Sequence, residues 1–259
     1  MTGTVAVGQL DGGDRQATQA AVELLRQSVP AGVAGLVPYH TPDYPWFLAA
    51  ALTPPPHART VLLRTVVLGG ELIAVADWRI LESELFLNGL SVGAEFRGRG
   101  YGHRLLADGL AIARRLGVDR VGLDVACDNE PALALYHRYG FREVSRVCWA
   151  DVTGHPASPP ESPIRIVDWP LFQAHRAAYG FADLTVRLGA GSEARIRMVG
   201  DAMRVNWDRN MDRHVTRLRV TLGAARAYAV IGSEAGPTVP PSFACFIRMR
   251  RATSEGGEA

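Results

Sequence analysis

Along the first half of the chain the apolar positions change period several times, and each change marks an element. Residues 59–68 and 71–80 are apolar, β-branched runs on either side of Gly69-Gly70, which predicts a hairpin. Residues 84–92 continue as a further strand, and residues 4–10 supply a first one. Within 14–29, Ala17, Ala21, Leu24 and Leu25 recur at helical spacing, and Pro30 marks the end of that helix. A second helix runs from Gly102 to Leu116, with Gly117 as its cap. A strand over 120–125, a helix over 130–139 and a long strand over 141–152 complete the series. The order β, α, three antiparallel strands, α, β, α, β predicts an α/β (α+β) domain over 1–153, with helices flanking a mixed, mostly antiparallel sheet.

The pattern then breaks. Residues 154–163 are rich in proline and small side chains and predict a linker. Beyond it, 169–178 reads as a helix, while 184–188, 194–199, 203–207, 215–222, 225–231 and 243–249 read as strands. Arg195, Arg197, Arg217 and Arg219 alternate with apolar residues, the pattern of strands with one solvated face. Residues 164–252 are therefore expected to form a smaller strand-rich C-terminal domain, either a degenerate copy of the first or an unrelated accessory. Residues 253–259 read as a disordered tail.

Candidate chemistry concentrates where the strand ending at Val92 meets the helix starting at Gly102. Between them lies an Arg/Gly loop with Arg97, Gly98, Arg99, Gly100 and Tyr101. Glycines let backbone N–H groups converge on one point, and a helix start adds unpaired N–H groups and a positive dipole end. Two arginines add charge suited to phosphate oxygens. The loop thus predicts a pyrophosphate cradle. A P-loop is excluded, because it needs a lysine and all 28 basic residues here are arginine. A dinucleotide fingerprint fits poorly, since His103 stands where the third glycine is required. Asp124, at the end of the next strand, nevertheless keeps a nicotinamide enzyme open.

Composition narrows the setting. A formal net charge of +2 over 259 residues argues against a nucleic-acid or membrane-surface protein. No apolar run is long enough to cross a bilayer and no signal core opens the chain, so a cytoplasmic location is expected. Cys127, Cys148 and Cys245 lack C-x-x-C spacing and read as reduced thiols. No His/Cys/Asp/Glu cluster has metal-ligand spacing, so no metal is expected.

Two blocks carry a resemblance. Arg97-Gly98-Arg99-Gly100-Tyr101-Gly102 matches [Q/R]-x-x-G-x-[G/A], and residues 129–141, with Asn129, Ala132, Leu135, Tyr136, Gly140 and Phe141, match N-x-x-A-x-x-L-Y…G-F. Together they resemble the GNAT superfamily of acyl-CoA-dependent N-acetyltransferases over about 5–153. The resemblance implies acetyl-CoA as acyl donor and a small-molecule or peptide amine as acceptor, joined by direct attack in a ternary complex. It implies cofactor contacts from Leu90, Val92, Arg97, Gly98, Arg99, Gly100, Tyr101, Gly102, Asn129 and Tyr136. Splayed fourth and fifth strands would free backbone groups of Leu90 and Val92, with the Leu90 N–H polarising the thioester. Tyr136 would protonate the leaving thiolate. Glu84 is the expected general base, with Glu82 and Asp77 as alternatives. Asn129 suits helix capping, a contact to the pantetheine arm, or both. The region 36–56, with Tyr39, Tyr44, Trp46 and Phe47, would line the acceptor site. A non-catalytic CoA-binding sensor or scaffold is the competing reading, and a homodimer stays open.

Overall fold

The computed structural model describes residues 6–157, 163–189, 192–232 and 240–254. In chain order it contains β1 (Val7–Gln9), α1 (Arg15–Gln27), α2 (Tyr44–Ala51), β2 (Val61–Leu68), β3 (Glu71–Ile80) and β4 (Glu84–Val92). There follow α3 (Tyr101–Leu116), β5 (Arg120–Ala126), α4 (Glu130–Arg138) and β6 (Arg142–Asp151). The later elements are β7 (Ile164–Ile166), α5 (Trp169–Tyr179), β8 (Phe181–Leu188), β9 (Ser192–Val199), β10 (Ala202–Asn206), α6 (Arg209–Thr221), β11 (Arg226–Ile231) and β12 (Ser242–Ala252). Half of the expected linker, 158–162, and most of the expected tail, 255–259, lie outside the described residues.

The chain divides into two compact units, and they do not follow the chain order. Unit 1 is Met1–Pro30, Pro45–Val144 and Ile247–Ala259; unit 2 is Ala31–Tyr44 and Ser145–Phe246. The expected boundaries at 153 and 164 therefore give way to others, because the end of β12 belongs with the N-terminal unit. Ile247 and Met249 join the core of unit 1, and Arg248 and Arg250, between and after them, pair with its strands. Arg248 forks onto Asp124 of β5 at 2.8 and 2.7 Å, and Arg250 donates to Glu84 of β4 at 3.0 and 3.3 Å. Arg251 donates to the Tyr139 carbonyl at 2.8 Å.

In unit 1 the sheet order is β1-β2-β3-β4-β5-β12. β2, β3 and β4 pair antiparallel, and β5 runs parallel to β4. Gly69 and Gly70, with φ of 60° and 87°, make the β2–β3 turn that the sequence predicts. Trp78 is fully buried, and a Cβ at Gly109 of α3 would lie 2.0 Å from its ring, so that glycine lets helix and strand close up. Arg64 of β2 holds Asp108 of α3 at 2.6 and 3.0 Å.

In unit 2 the order is β6-β11-β10-β9-β8-β7, with β10 and β11 parallel. Alternate residues of β8 to β11 point into a core with α5 and α6, including Leu184, Ile196, Met203, Val205 and Val215. Two expectations are corrected here. Residues 215–222 are not a strand: Met211, Val215 and Leu218 form a buried helical stripe behind the N-cap Asp208, and Arg217 and Arg219 belong to α6. Cys148 and Cys245 are not reduced thiols but a disulfide joining β6 and β12, 97 residues apart in sequence. Spacing could not show this, because the pairing depends on which strands become neighbours.

Candidate functional site

The loop after β4 has the backbone its glycines permit. Gly98 and Gly100 adopt φ of 74° and 82°, in the left-handed region that other residues avoid. Gly100 is the N-cap of α3, and no side chain fills that cap. The first-turn N–H groups of α3 therefore face outward without a side-chain acceptor, at the positive end of a 16-residue helix. Arg97 and Arg99 are exposed beside them. Arg99 lies over the Phe96 ring at 5.6 Å, and Arg97 Nε donates to the Val92 carbonyl at 3.1 Å.

Behind the loop, β4 and β5 part company. Their parallel register runs from Glu84–Arg120 to Leu87–Leu123 and then stops. A bulge at the same level shifts β4 against β3, where Asp77 pairs with Gly89 but Trp78 with Leu87. Beyond the bulge the antiparallel alternation decides where each amide points. The Gly93 N–H donates to the Ile73 carbonyl at 2.9 Å, so Ser91 and Gly89 also bond toward β3. Leu90 and Val92 then direct their N–H and C=O groups the other way, toward the edge that β5 has left. Arg97 confirms that direction by reaching the Val92 carbonyl there.

α4 closes on this edge. The Leu135 and Leu90 side chains both lie within van der Waals reach of Gly102, at 3.6 and 3.7 Å from the position of a Cβ. The Tyr139 hydroxyl donates to the His103 carbonyl at 3.1 Å. Tyr136, on the buried side of α4, packs in the same core and meets Phe141 at 5.9 Å. Burial pushes its phenol up to about 12. Asn129 caps α4, accepting from the Ala132 N–H at 3.2 Å through its side-chain oxygen. Leu90, Val92 and the Arg97–Gly102 loop thus come together at one end of the unit 1 sheet, with α4 against Gly102 through Leu135 and Tyr136 on the buried face of that helix.

Glu84 does not join them. It is the first residue of β4, at the opposite end from Val92, and is held by Arg250 and, at 3.7 Å, Arg120. A Cβ on Gly122 would lie within 1.9 Å of its carboxylate, so that glycine makes room for a structural ion pair. The expectation of Glu84 as general base is corrected on these grounds. Glu82 is exposed in the turn before β4. Asp77 is fully buried opposite Gly89, next to Leu90 in the strand, and accepts from Arg79 at 2.7 Å and Asn88 at 2.9 Å. Asp124, the acid that a nucleotide ribose would need, is engaged by Arg248. The arginines of β12 are the contributors that sequence reasoning missed; an R-x-R-R run near the chain end was the only signal.

The aromatic region 36–56 divides. Tyr39 and Tyr44 are buried against one another at 5.1 Å in unit 2, whereas Trp46 stands exposed in unit 1 under Arg15 at 4.7 Å. Trp46, Pro45 and Ala49 of α2 and Arg15, Gln16 and Gln19 of α1 line an open groove of about 280 Å³.

The comparisons with known proteins agree with this geometry. The model of the acetyltransferase (GNAT) family matches residues 20–141, a span that contains the splayed strands, the loop and Tyr136. Residues 20–141, just under half of the chain, thus carry the similarity to the GNAT acetyltransferase family. The GNAT fold extends further than that match: a tandem GNAT protein from the clavulanic acid biosynthesis pathway superposes with a TM-score of 0.65 at 13% identity, covering 98% of this chain and 100% of its own. A GCN5-related N-acetyltransferase from Sphaerobacter thermophilus gives 0.59 at 15% identity over 97% and 96%. Among curated proteins, the mycothiol acetyltransferase of Clavibacter michiganensis is 46% identical over 56 residues, 22% of this chain and 18% of its own length. That of Corynebacterium aurimucosum is 41% identical over 68 residues, 26% and 22% respectively. The matched stretch thus spans about a fifth of these GNAT relatives. No helix among the described residues is long and apolar enough to cross a membrane.

Proposed function

We propose that unit 1 is an N-acetyltransferase that moves the acetyl group of acetyl-CoA to a primary amine by direct attack in a ternary complex. The observation that carries this reading is the unpaired edge of β4 beside the uncapped start of α3. A long donor with amides at its middle and a pyrophosphate at one end needs both features. The pyrophosphate suits the N–H groups of the 97–102 loop and the first turn of α3. The pantetheine amides suit the outward N–H and C=O of Leu90 and the N–H of Val92, which lie beyond the last pairing with β5.

Acetyl-CoA supplies an activated acyl group as its thioester. The Leu90 N–H donates to the thioester carbonyl oxygen, where negative charge grows as the amine adds. Asp77 is the acid that the fold brings beside Leu90, and we assign it as acceptor of the amine proton. As the C–N bond forms and the C–S bond breaks, Tyr136 delivers its phenolic proton to the leaving sulfur. A phenol held near 12 stays protonated through the neutral range and can donate when the thiolate appears.

Calorimetry with acetyl-CoA, followed by steady-state assays over an amine panel, tests the proposal. The panel includes alkyl amines, amino-acid amides and the mycothiol-type amine to which the relatives' name points. Micromolar binding and turnover with sequential kinetics are expected. Binding without turnover on any amine selects the sensor reading, and absent binding withdraws both.

A further inference from the structure

The unit 2 sheet packs α5 and α6 on one face, and on the other the buried Phe181, Val199, Ala202, Trp149 and Tyr228 alternate with charged residues. Register places Asp183 of β8 opposite Arg197 of β9, Arg197 opposite Arg204 of β10, and Arg204 beside Tyr228 of β11. Trp149 of β6 lies on the same face, under the Arg204 guanidinium at 5.2 Å. Arg195 stands two residues from Arg197, with 73% of its side chain exposed.

The charges on this face do not balance. Asp183 accepts a fork from Arg197 at 2.5 and 2.7 Å and a further bond from Arg195 at 2.9 Å, which engages both oxygens. Those arginines hold its carboxyl below the usual range. Among the described residues Arg204 has no carboxylate at ion-pair distance, although it faces Arg197 directly across the ladder. Like charges in that position are destabilising. Burial, then Arg197, lowers the Arg204 guanidinium to about 10, with Asp183 acting in the opposite direction without reversing the shift. A largely buried cation beside a second cation is costly for folding alone, and the aromatic ring below it recovers only part of that cost. The surroundings add an apolar edge: the exposed Phe243 stands edge-on to Tyr228 at 5.8 Å, and Phe246 is tilted against Trp149 at 6.0 Å.

We propose that this face of unit 2 binds a small organic anion: a carboxylate or phosphate group, taken by Arg204 with Arg195 and Arg197, attached to an apolar body that meets the exposed Phe243. This site is distinct in residues from the donor cradle of unit 1, and its existence does not depend on acetyl transfer there.

Calorimetric titration of the intact protein with phenyl phosphate, benzoate and benzyl alcohol, at low salt, tests the site. At least one of the two anions is expected to bind saturably, and the neutral alcohol is not. Preference for phenyl phosphate assigns a phosphate ligand, and preference for benzoate a carboxylate. Arg204→Gln is expected to weaken anion binding by about tenfold or more, the scale of one charge-assisted contact, while acetyl-CoA still binds as in the wild type. Arg195→Gln, at an exposed position that folding tolerates, is expected to weaken it in the same direction. Absent saturation with both anions overturns the proposal. So does anion binding that survives both substitutions but is lost in Arg99→Gln, since the anion would then occupy the loop of unit 1.

Discussion

The two units contain the same local sequence of elements, strand, helix, parallel strand, and they treat it in opposite ways. In unit 1, β4 leaves β5 after Leu87, and the glycine loop delivers α3 with its cap empty. In unit 2, β10 stays paired with β11 along its whole length to Asn206–Val230, and the Trp207 N–H extends the pairing to the Val230 carbonyl at 2.8 Å. The cap of α6 is filled by Asp208, whose carboxylate accepts from the Met211 N–H at 2.6 Å. The first arrangement leaves backbone donors exposed beside positive charge. The second closes the strand gap and puts a negative charge where a phosphate would sit. Topology is thus alike in both units, while among the described residues the unpaired strand edge and empty cap that we propose as a donor site occur in unit 1.

The sharpest way to break that contrast is to give unit 1 the cap of unit 2. Gly100→Asp places a carboxylate at the start of α3 and also strains a left-handed position. Acetyl-CoA affinity is expected to fall by about a hundredfold or more in calorimetry, with circular dichroism unchanged. Gly100→Asn, which tolerates that backbone without the charge, is expected to lose much less. Wild-type protein is expected to bind one acetyl-CoA per chain; a stoichiometry of two would refute the closed reading of unit 2.

Tyr136→Phe is the next largest test. It is expected to lower kcat by about a hundredfold while leaving acetyl-CoA affinity intact, the signature of a lost proton donor. The same phenol makes a prediction for stability. Its folded pKa is raised from 10.0 to about 12. Below pH 10 both states hold the proton and nothing is lost. Between pH 10 and 12 the unfolded chain ionises first, so stability falls as pH rises, by about 3 kcal/mol for a two-unit difference. Alkaline unfolding of Tyr136→Phe should lack that component.

Smaller effects check the structural roles. Glu84→Gln is expected to cost about 1–2 kcal/mol in denaturant unfolding, because the partly exposed Arg250 and Arg120 lose a buried carboxylate. Turnover at saturating substrate should persist, whereas Asp77→Asn should depress it. Asp208→Ala should cost about 1 kcal/mol through the lost cap and leave acetyl-CoA binding unchanged.

What the sequence determined by itself is local. The β2–β3 turn at Gly69-Gly70, the left-handed Gly98 and Gly100, the capping Asn129 and the buried face of α4 with Tyr136 each depend on residues a few positions apart. The amphipathic stripe of α6 was also present, but alternating arginines imitated a strand, and only packing of Met211, Val215 and Leu218 decided between the two periods. Tertiary structure alone decided the long-range partners. It brought β12 beside β5 from more than a hundred residues away, turned Glu84 from a candidate base into an ion-pair anchor, and joined Cys148 to Cys245. The physical division is clear: backbone dihedrals answer to neighbouring side chains, whereas strand order answers to the burial and charge pairing of surfaces that sequence distance does not relate.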